Sequence, residues 1–496
     1  MKNQRIMRLL LAGIIMGFMV SCANTLDREK LSEALLKCDY FGSFQEGFAK
    51  VVKDGKYSFI DKSGKEIVPF IYDGAYDFQE GFAVVIKDGK CGFIDKSGKE
   101  IAPLIYDVAF DFCEGRARVF SKEGKWGFID KSGREIVSCI YDKVSDFHEG
   151  FAKVSKEGKW GFIDKSGKEI VPFIYDVAYN FHEDRAKVEK DGKCGFITKS
   201  GKEIAPFIYD DACDFQEGLA MVNKDGKYGF IDKSGKEIAP PIYNYTLGFH
   251  EGFAPVFKDG KFGFIDKSGK EIIPCIYDEL SRNFSDGLAI AVWGEQRGFV
   301  DKDGKEIIPI IYDGAYDFSE DRAIVFKDWK YGFIDKSGKE IVPFIYDNAS
   351  RFQEGFAKVS KEGKWSFIDK SGKEICPFIY DAADDFQEGF APVSKDGKYG
   401  FIDKSGREIT PFIYDNGLSF QEGFAKVRKG SKYGFIDKTG KEFIPCIYDE
   451  LSRNFSDGLA IAVWGEQRGF VDKDGYYIGK GFVKKLSELD GINITD

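Results

Sequence analysis

A unit of about 34 residues recurs along almost the whole chain, and that period constrains the fold more than any other feature. Its marker, aromatic-Gly-Phe-Ile-Asp-Lys-Ser-Gly, places a phenylalanine at Phe59, Phe93, Phe128 and onward to Phe470, thirteen times at steps of 34 or 35. A second marker, Ile-Pro-x-Ile-Tyr-Asp, follows each block but the last and runs from Tyr72 to Tyr448. Strict periodicity of this kind means that each unit buries its core only against its neighbours. It also weighs against an ordinary enzyme, because a catalytic centre needs one asymmetric set of groups and this chain supplies many near-copies of the same set.

Residues 264–304 and 435–475 are the same sequence except at Ser268/Thr439 and Ile272/Phe443, an offset of 171 residues or five units. A block copied this recently implies that a change in length is tolerated. That suits a scaffold better than a ring of fixed size.

Within one unit the pattern is all-β. In residues 48–73, Phe48 to Lys53 reads as a strand with Ala49 and Val51 on one face, and Asp54-Gly55 as a two-residue hairpin turn. Tyr57 to Asp61 is a second strand, Ser63-Gly64 a second turn, and Glu66 to Tyr72 a third extended segment. Val68, Phe70 and Tyr72 face one way, and Ile67, Pro69 and Ile71 the other. Pro69 cannot donate to a ladder, so the third segment is expected at a sheet edge or only partly paired. A connector of about nine residues, with Phe78 pointing inward, leads to the next unit. The aromatics at fixed offsets are expected to stack from unit to unit. Thirteen units exceed the four to eight blades of a usual propeller. The expected architecture is therefore a set of three-stranded antiparallel meanders stacked as an elongated solenoid or superhelix, on the order of 100 Å long at roughly 10 Å per packed sheet. Tandem β-propellers are the alternative.

The ends depart from the repeat. Lys2, Arg5 and Arg8 precede an apolar stretch from Leu9 to Val20, and Ser21-Cys22 closes it. This reads as a lipoprotein signal peptide over 1–21, with Cys22 as the lipidated residue. Residues 22–43 are then a tether and a capping helix over Thr25 to Lys37, on which Leu31, Ala34 and Leu35 share one face. The array fills 44–475, and 476–496 form a C-terminal cap. The location implied is the bacterial envelope, with the outer membrane as first expectation.

Net charge is −10 and falls to −13 once Lys2, Arg5 and Arg8 are removed with the leader. Lysines and carboxylates interleave throughout, so nucleic acid is not expected as a partner. The ten cysteines mostly substitute for apolar residues of the repeat, as Cys91 and Cys194 do before Gly-Phe, and are expected as free thiols in the core rather than a disulfide framework.

Gly124-Lys125-Trp126-Gly127-Phe128-Ile129-Asp130 and Gly158-Lys159-Trp160-Gly161-Phe162-Ile163-Asp164, followed by Gly-Lys-x-Ile/Val-Pro and Tyr-Asp, resemble the WG repeat (KWG-type) of bacterial envelope and surface proteins. The resemblance covers roughly residues 44–475. It implies an exported bacterial repeat protein for interaction, and it carries no catalytic or ligand residues with it.

Candidate chemistry is sparse. His148, His182 and His250 occupy one connector position and are expected a unit or more apart and exposed. Asp301-Lys302-Asp303-Gly304 and Asp472-Lys473-Asp474-Gly475 lack the third Asp and closing Glu of a calcium loop and read as turns. Asp384-Asp385 has no partner carboxylate to make a glycosidase pair. No metal or cofactor is expected. The irregular positions say more. Trp329 replaces a turn glycine, Trp293 and Trp464 open an altered Trp-Gly-Glu-Gln-Arg hairpin, and Arg297 and Arg468 stand at the aromatic place before Gly-Phe. Trp beside Arg suits a protein partner or a sugar face. The expected function is a non-enzymatic, lipid-anchored scaffold binding an envelope or surface protein. Carbohydrate or peptidoglycan binding through exposed aromatics is the first alternative, and a hydrolase with an unrecognised site the second.

Overall fold

A computed structural model describes residues 26–486. The expected leader, Cys22 and the last ten residues of the chain lie outside the described residues. In the second unit, strands Gly74–Ala75, Phe82–Lys87, Lys90–Asp95 and Glu100–Tyr106 form one antiparallel sheet in sequence order. The connector thus donates a short strand of its own, and the meander has four strands where the sequence suggested three. Two tight turns make this possible. Asp88 and Gly89 take φ of 50° and 72°, and Glu80 and Gly81 take 51° and 88°. Both are the paired left-handed conformations of a two-residue hairpin. The Gln-Glu-Gly segment, which reads as plain connector, is therefore a second hairpin turn.

The fourth strand alternates as expected: Ala102 and Tyr106 are buried, and Pro103 and Ile105 face out. Its ladder slips on either side of Phe93. Gly92 lies so close beneath it that a Cβ there would sit 2.8 Å from the Ala102 carbonyl. In the first, tenth and eleventh units this strand is reduced to isolated bridges such as Tyr57 with Tyr72.

Units join through aromatics. Phe78 inserts between Phe48 and Phe59 of the preceding unit, with ring centroids 4.8 and 4.9 Å away. The same pairing recurs at every junction, for example Phe93 with Phe112 at 5.2 Å and Phe299 with Phe318 at 5.1 Å. It recurs once more between the ends of the array, where Phe44 of the first unit lies 5.3 Å from Phe470 of the thirteenth. Two polar contacts follow the same rule. The Gly81 amide donates to Glu46 at 3.0 Å, and the Gly47 amide donates to Asp457 at 2.9 Å. Ser285 Oγ donates to the Phe318 carbonyl at 2.7 Å, and Ser456 Oγ to that of Phe44 at 2.8 Å.

The first sheet therefore sits on the thirteenth as the second sits on the first, and the array closes into a thirteen-bladed β-propeller arrangement. The elongated open solenoid is not what forms. The propeller alternative describes the blades correctly, but there is one ring of thirteen and not two in tandem. Periodicity fixes how one unit sits on the next. The small rotation per unit, about 28° for thirteen in a full turn, is not written in any single repeat.

The seam carries its own reinforcement. Helix α1 (Arg28–Leu36), capped by Asp27 through the Lys30 amide at 3.2 Å, seats Leu31 and Leu35 in a cluster with Phe41, Phe470 and Ile478. Strands Tyr476–Gly479 and Phe482–Lys485 widen the last sheet to five and contact the helix through the Gly481 amide on the Ser32 carbonyl at 3.0 Å. Arg28 pairs with Asp472 and covers the Tyr476 ring at 4.2 Å.

Two carboxylate ladders run across the junctions. Glu80, held in the left-handed turn, accepts from the Glu114 and Gly115 amides at 3.1 Å each and pairs with Lys131 at 3.1 Å. The aspartate after each tyrosine clamps two hairpin tips: Asp73 pairs with Lys56 through one oxygen and accepts from the Asp88 amide at 2.7 Å through the other. Burial works to raise the Glu114 carboxyl, but Lys165 and the Gly150 and Glu149 amides outweigh it and leave the pKa below its ordinary value. Glu149, Glu354 and Glu388 are lowered with the same causes in opposition. A pKa lowered on folding adds stability above the unfolded value and loses it as pH falls through the folded one. Thermal stability is thus expected to hold above the ordinary glutamate value of 4.5 and to drain away below it. Melting followed by circular dichroism from pH 7 to pH 3 checks this; a melting temperature that stays level to pH 3 refutes it.

Candidate functional site

In ten places round the ring the lysine that opens a third strand pairs with the aspartate 17 residues later, from Lys56 with Asp73 to Lys432 with Asp449. In the eighth unit Gln296 stands at the lysine position. Asp313 keeps the amide half of the clamp, from Asp328 at 2.9 Å, and has no lysine on its other oxygen. This break falls beside two other irregular residues, Arg297 and Trp329. Asp278, Glu279, Val292, Gly294, Glu295, Arg297, Asp313, Phe326 and Trp329 line one open cavity of about 630 Å³ between the eighth and ninth units.

Trp329 projects from a hairpin tip and is 86% exposed, with Phe326 edge-on at 6.2 Å. Trp293 is 58% exposed and lies edge-on to Tyr277 at 6.2 Å, on the hairpin that supplies Gly294 and Glu295 to the cavity. Arg297 Nη1 is spent on two backbone carbonyls, Asp313 at 2.7 Å and Glu295 at 3.2 Å. Asp278 pairs with Lys261 at 2.5 Å and accepts from the Gly294 amide at 2.8 Å.

Of the five residues singled out in the sequence, Trp329 and Arg297 meet in this cavity with Trp293 at its edge. Trp464 and Arg468 lie elsewhere, in the seam. Trp464 packs edge-on to Tyr477 at 6.1 Å, and Arg468 lies over the Tyr40 ring at 5.0 Å. Two copies of one hairpin thus have different surroundings, one solvent-facing and one covered. The free Asp313 carboxylate was missed by sequence reasoning. The signal was present, since Gln296 breaks a Lys-to-Asp spacing that ten of the thirteen units keep.

Trp329 has φ of 66°, following Asp328 at 51°. A bulky residue in the left-handed region costs about 1–2 kcal/mol against glycine. Trp329→Gly, which restores the repeat, is expected to raise stability by about 1 kcal/mol. Chemical denaturation of the two proteins side by side checks this, and a less stable variant would show that the indole packs usefully on its own unit.

The histidines correct an expectation. His148 and His182 are not a unit's width apart: their rings lie 4.8 Å from one another, because neighbouring connectors pack directly. His148 Nδ1 bonds the Phe181 carbonyl at 2.8 Å, the same inter-unit contact that Ser285 makes, and His182 Nε2 lies 3.4 Å from Asp214. Among the described residues no group of three or more His, Cys, Asp or Glu is arranged to hold a metal ion. Asp301 accepts from the Asp303 and Lys305 amides at 3.0 and 2.9 Å, which is turn chemistry. The nine described cysteines are all unpaired, and Cys213 is exposed, contrary to a uniform core placement. Burial pushes the thiols of Cys275 and Cys446 up to about 11 and about 12, which leaves them protonated and unreactive at neutral pH.

A ring of near-identical blades, internally satisfied at most junctions and open at an exposed cavity between the eighth and ninth, defines a β-propeller-type repeat protein of the binding-scaffold class. The family model described as WG containing repeat matches thirteen stretches between residues 36 and 463, and the chain belongs to the WG-repeat family. No curated protein matches it in sequence. Among solved structures it is similar to the computationally designed Ika8 protein, at 14% identity and TM-score 0.24 over 53% of this chain and 93% of that one. It is also similar to a eukaryotic initiation factor, at 10% and 0.30 over 61% and 96%. With the tricorn protease the figures are 12% and 0.23 over 90% of this chain, which spans 62% of that protein. Likenesses this faint say nothing about what the chain binds.

Proposed function

We propose that this protein is a non-enzymatic scaffold, held at the bacterial cell envelope by lipid on Cys22, outer membrane first, and presenting its ring to a protein partner. The observation that carries the reading is the use of the repeat's own polar groups. The glutamates, aspartates and lysines of unit after unit are consumed in holding neighbouring blades, and Arg297, Trp329 and the lysine-free Asp313 meet at one exposed cavity. That arrangement favours recognition over turnover.

The anchor is tested by growing cells with radiolabelled palmitate and comparing the natural protein with Cys22→Ser. Label and membrane association in the first and neither in the second are expected; an unlabelled natural protein overturns the anchor. The partner is tested by cross-linking in intact cells, where one dominant envelope protein, lost when repeats are deleted, is expected. The exposure of Trp329 favours carbohydrate as the second reading. It requires that Trp329→Ala or Trp293→Ala weaken retention on cell-wall polysaccharide.

A further inference from the structure

We infer that the cavity between the eighth and ninth units takes a lysine side chain from a protein partner, with the ammonium on Asp313 and the methylenes against Trp329. The inference rests on the scaffold reading and names the chemistry of its contact. Ten sister aspartates hold a lysine of their own unit on the oxygen that Asp313 leaves open. The geometry of the missing group is thus given by the ring itself.

The second copy of the hairpin shows that a lysine from outside the unit reaches this place. In the thirteenth unit Gln467 again replaces the lysine, and the aspartate that follows across the seam is Asp39. There Lys480 comes in, onto backbone and not onto the Asp39 carboxylate: its Nζ donates to the Cys38 carbonyl at 2.5 Å and the Asp39 carbonyl at 3.1 Å. Arg468 is turned onto the Tyr40 ring instead, at 5.0 Å. Arg297, whose hairpin meets no such extension, bonds the Asp313 carbonyl at 2.7 Å.

Charge and shape agree. Of the four carboxylates that line the cavity Asp278 is paired with Lys261, which leaves Glu279, Glu295 and Asp313 against one guanidinium. The exposed indole of Trp329 offers the face that a lysine stem or ammonium covers. A neutral sugar would gain the indole but leave the excess of carboxylates without a positive partner.

The test uses the full-length protein and an amidated peptide of glycines carrying three lysines, against the same peptide with every lysine ε-acetylated. Binding is read by tryptophan fluorescence and by calorimetry. The lysine peptide is expected to bind at least tenfold more tightly than its acetylated counterpart and to weaken as salt is raised. Asp313→Asn is expected to lose that preference. Gln296→Lys restores the repeat, so it folds, and it is expected to abolish binding by filling the site from within. Equal binding of both peptides, or unchanged binding by Gln296→Lys, overturns the inference. So does a chitin or cellulose oligosaccharide that binds at Trp329 while the lysine peptide does not. In cells, a partner still captured by the Gln296→Lys protein would leave the scaffold reading standing and remove this cavity from its contact. Loss of the partner in that variant supports both.

Discussion

Phe470→Ala is expected to open the ring, whereas Phe299→Ala, in an identical stretch of sequence, is expected to leave it closed. Each phenylalanine is fully buried or nearly so, at 1% and 0% exposure, and each removal costs about 3–5 kcal/mol locally. The difference lies in what else holds the junction. Phe299 meets Phe318 across a junction that the chain itself spans. Phe470 meets Phe41 and Phe44, at 5.0 and 5.3 Å, across the one junction of the ring that no covalent connector crosses. Only the second loss is unopposed by chain connectivity. Small-angle scattering should show a larger radius of gyration for Phe470→Ala alone, and trypsin should cut first around α1. Equal radii for the two variants would mean that the helix and the last two strands hold the seam without the aromatic.

The second large effect concerns glycine. Gly133 and Gly158 both have φ of 79°, so backbone preference treats them alike. Alanine at Gly158 meets nothing within 4 Å, and Gly158→Ala should cost about 1 kcal/mol, the price of a left-handed alanine. At Gly133 a Cβ would fall 1.5 Å from the Ile101 carbonyl oxygen of the preceding blade. Backbone would have to move on both sides of the junction, and Gly133→Ala is expected to lose about 3 kcal/mol or more. Denaturant titration of the pair measures the difference, which isolates packing between blades from turn conformation. A gap under about 1 kcal/mol between them would show that the blades slide apart easily.

Much of the blade was legible because its signals are local. Asp54-Gly55 specified a turn, Val68 and Tyr72 a buried face, and Leu31 and Leu35 the apolar side of a helix. The short strand at Gly74–Ala75 was not legible: two residues carry no alternation, and their pairing with Val85 and Ile86 depends on the turn at Glu80 and Gly81. Ring closure was hidden for another reason. It is set by the sum of thirteen small rotations and by contacts such as Gly47 with Asp457, which no single unit reveals. Of the cavity, Trp329 and Arg297 announced themselves as departures from the repeat. Asp313 did not, because it is the normal residue at its position and only its absent partner marks it.

One hairpin sequence serves two different ends in this ring. Trp464 to Arg468 and Trp293 to Arg297 lie in stretches that are the same but for two positions, five units apart. At the seam the N-terminal blade brings the Tyr40 ring under Arg468, and Lys480 arrives beside it. In the interior the neighbour is an ordinary ninth blade with Trp329 exposed at its tip. Whether this hairpin is a joint or an open surface is therefore decided by the blade that follows it, not by the hairpin.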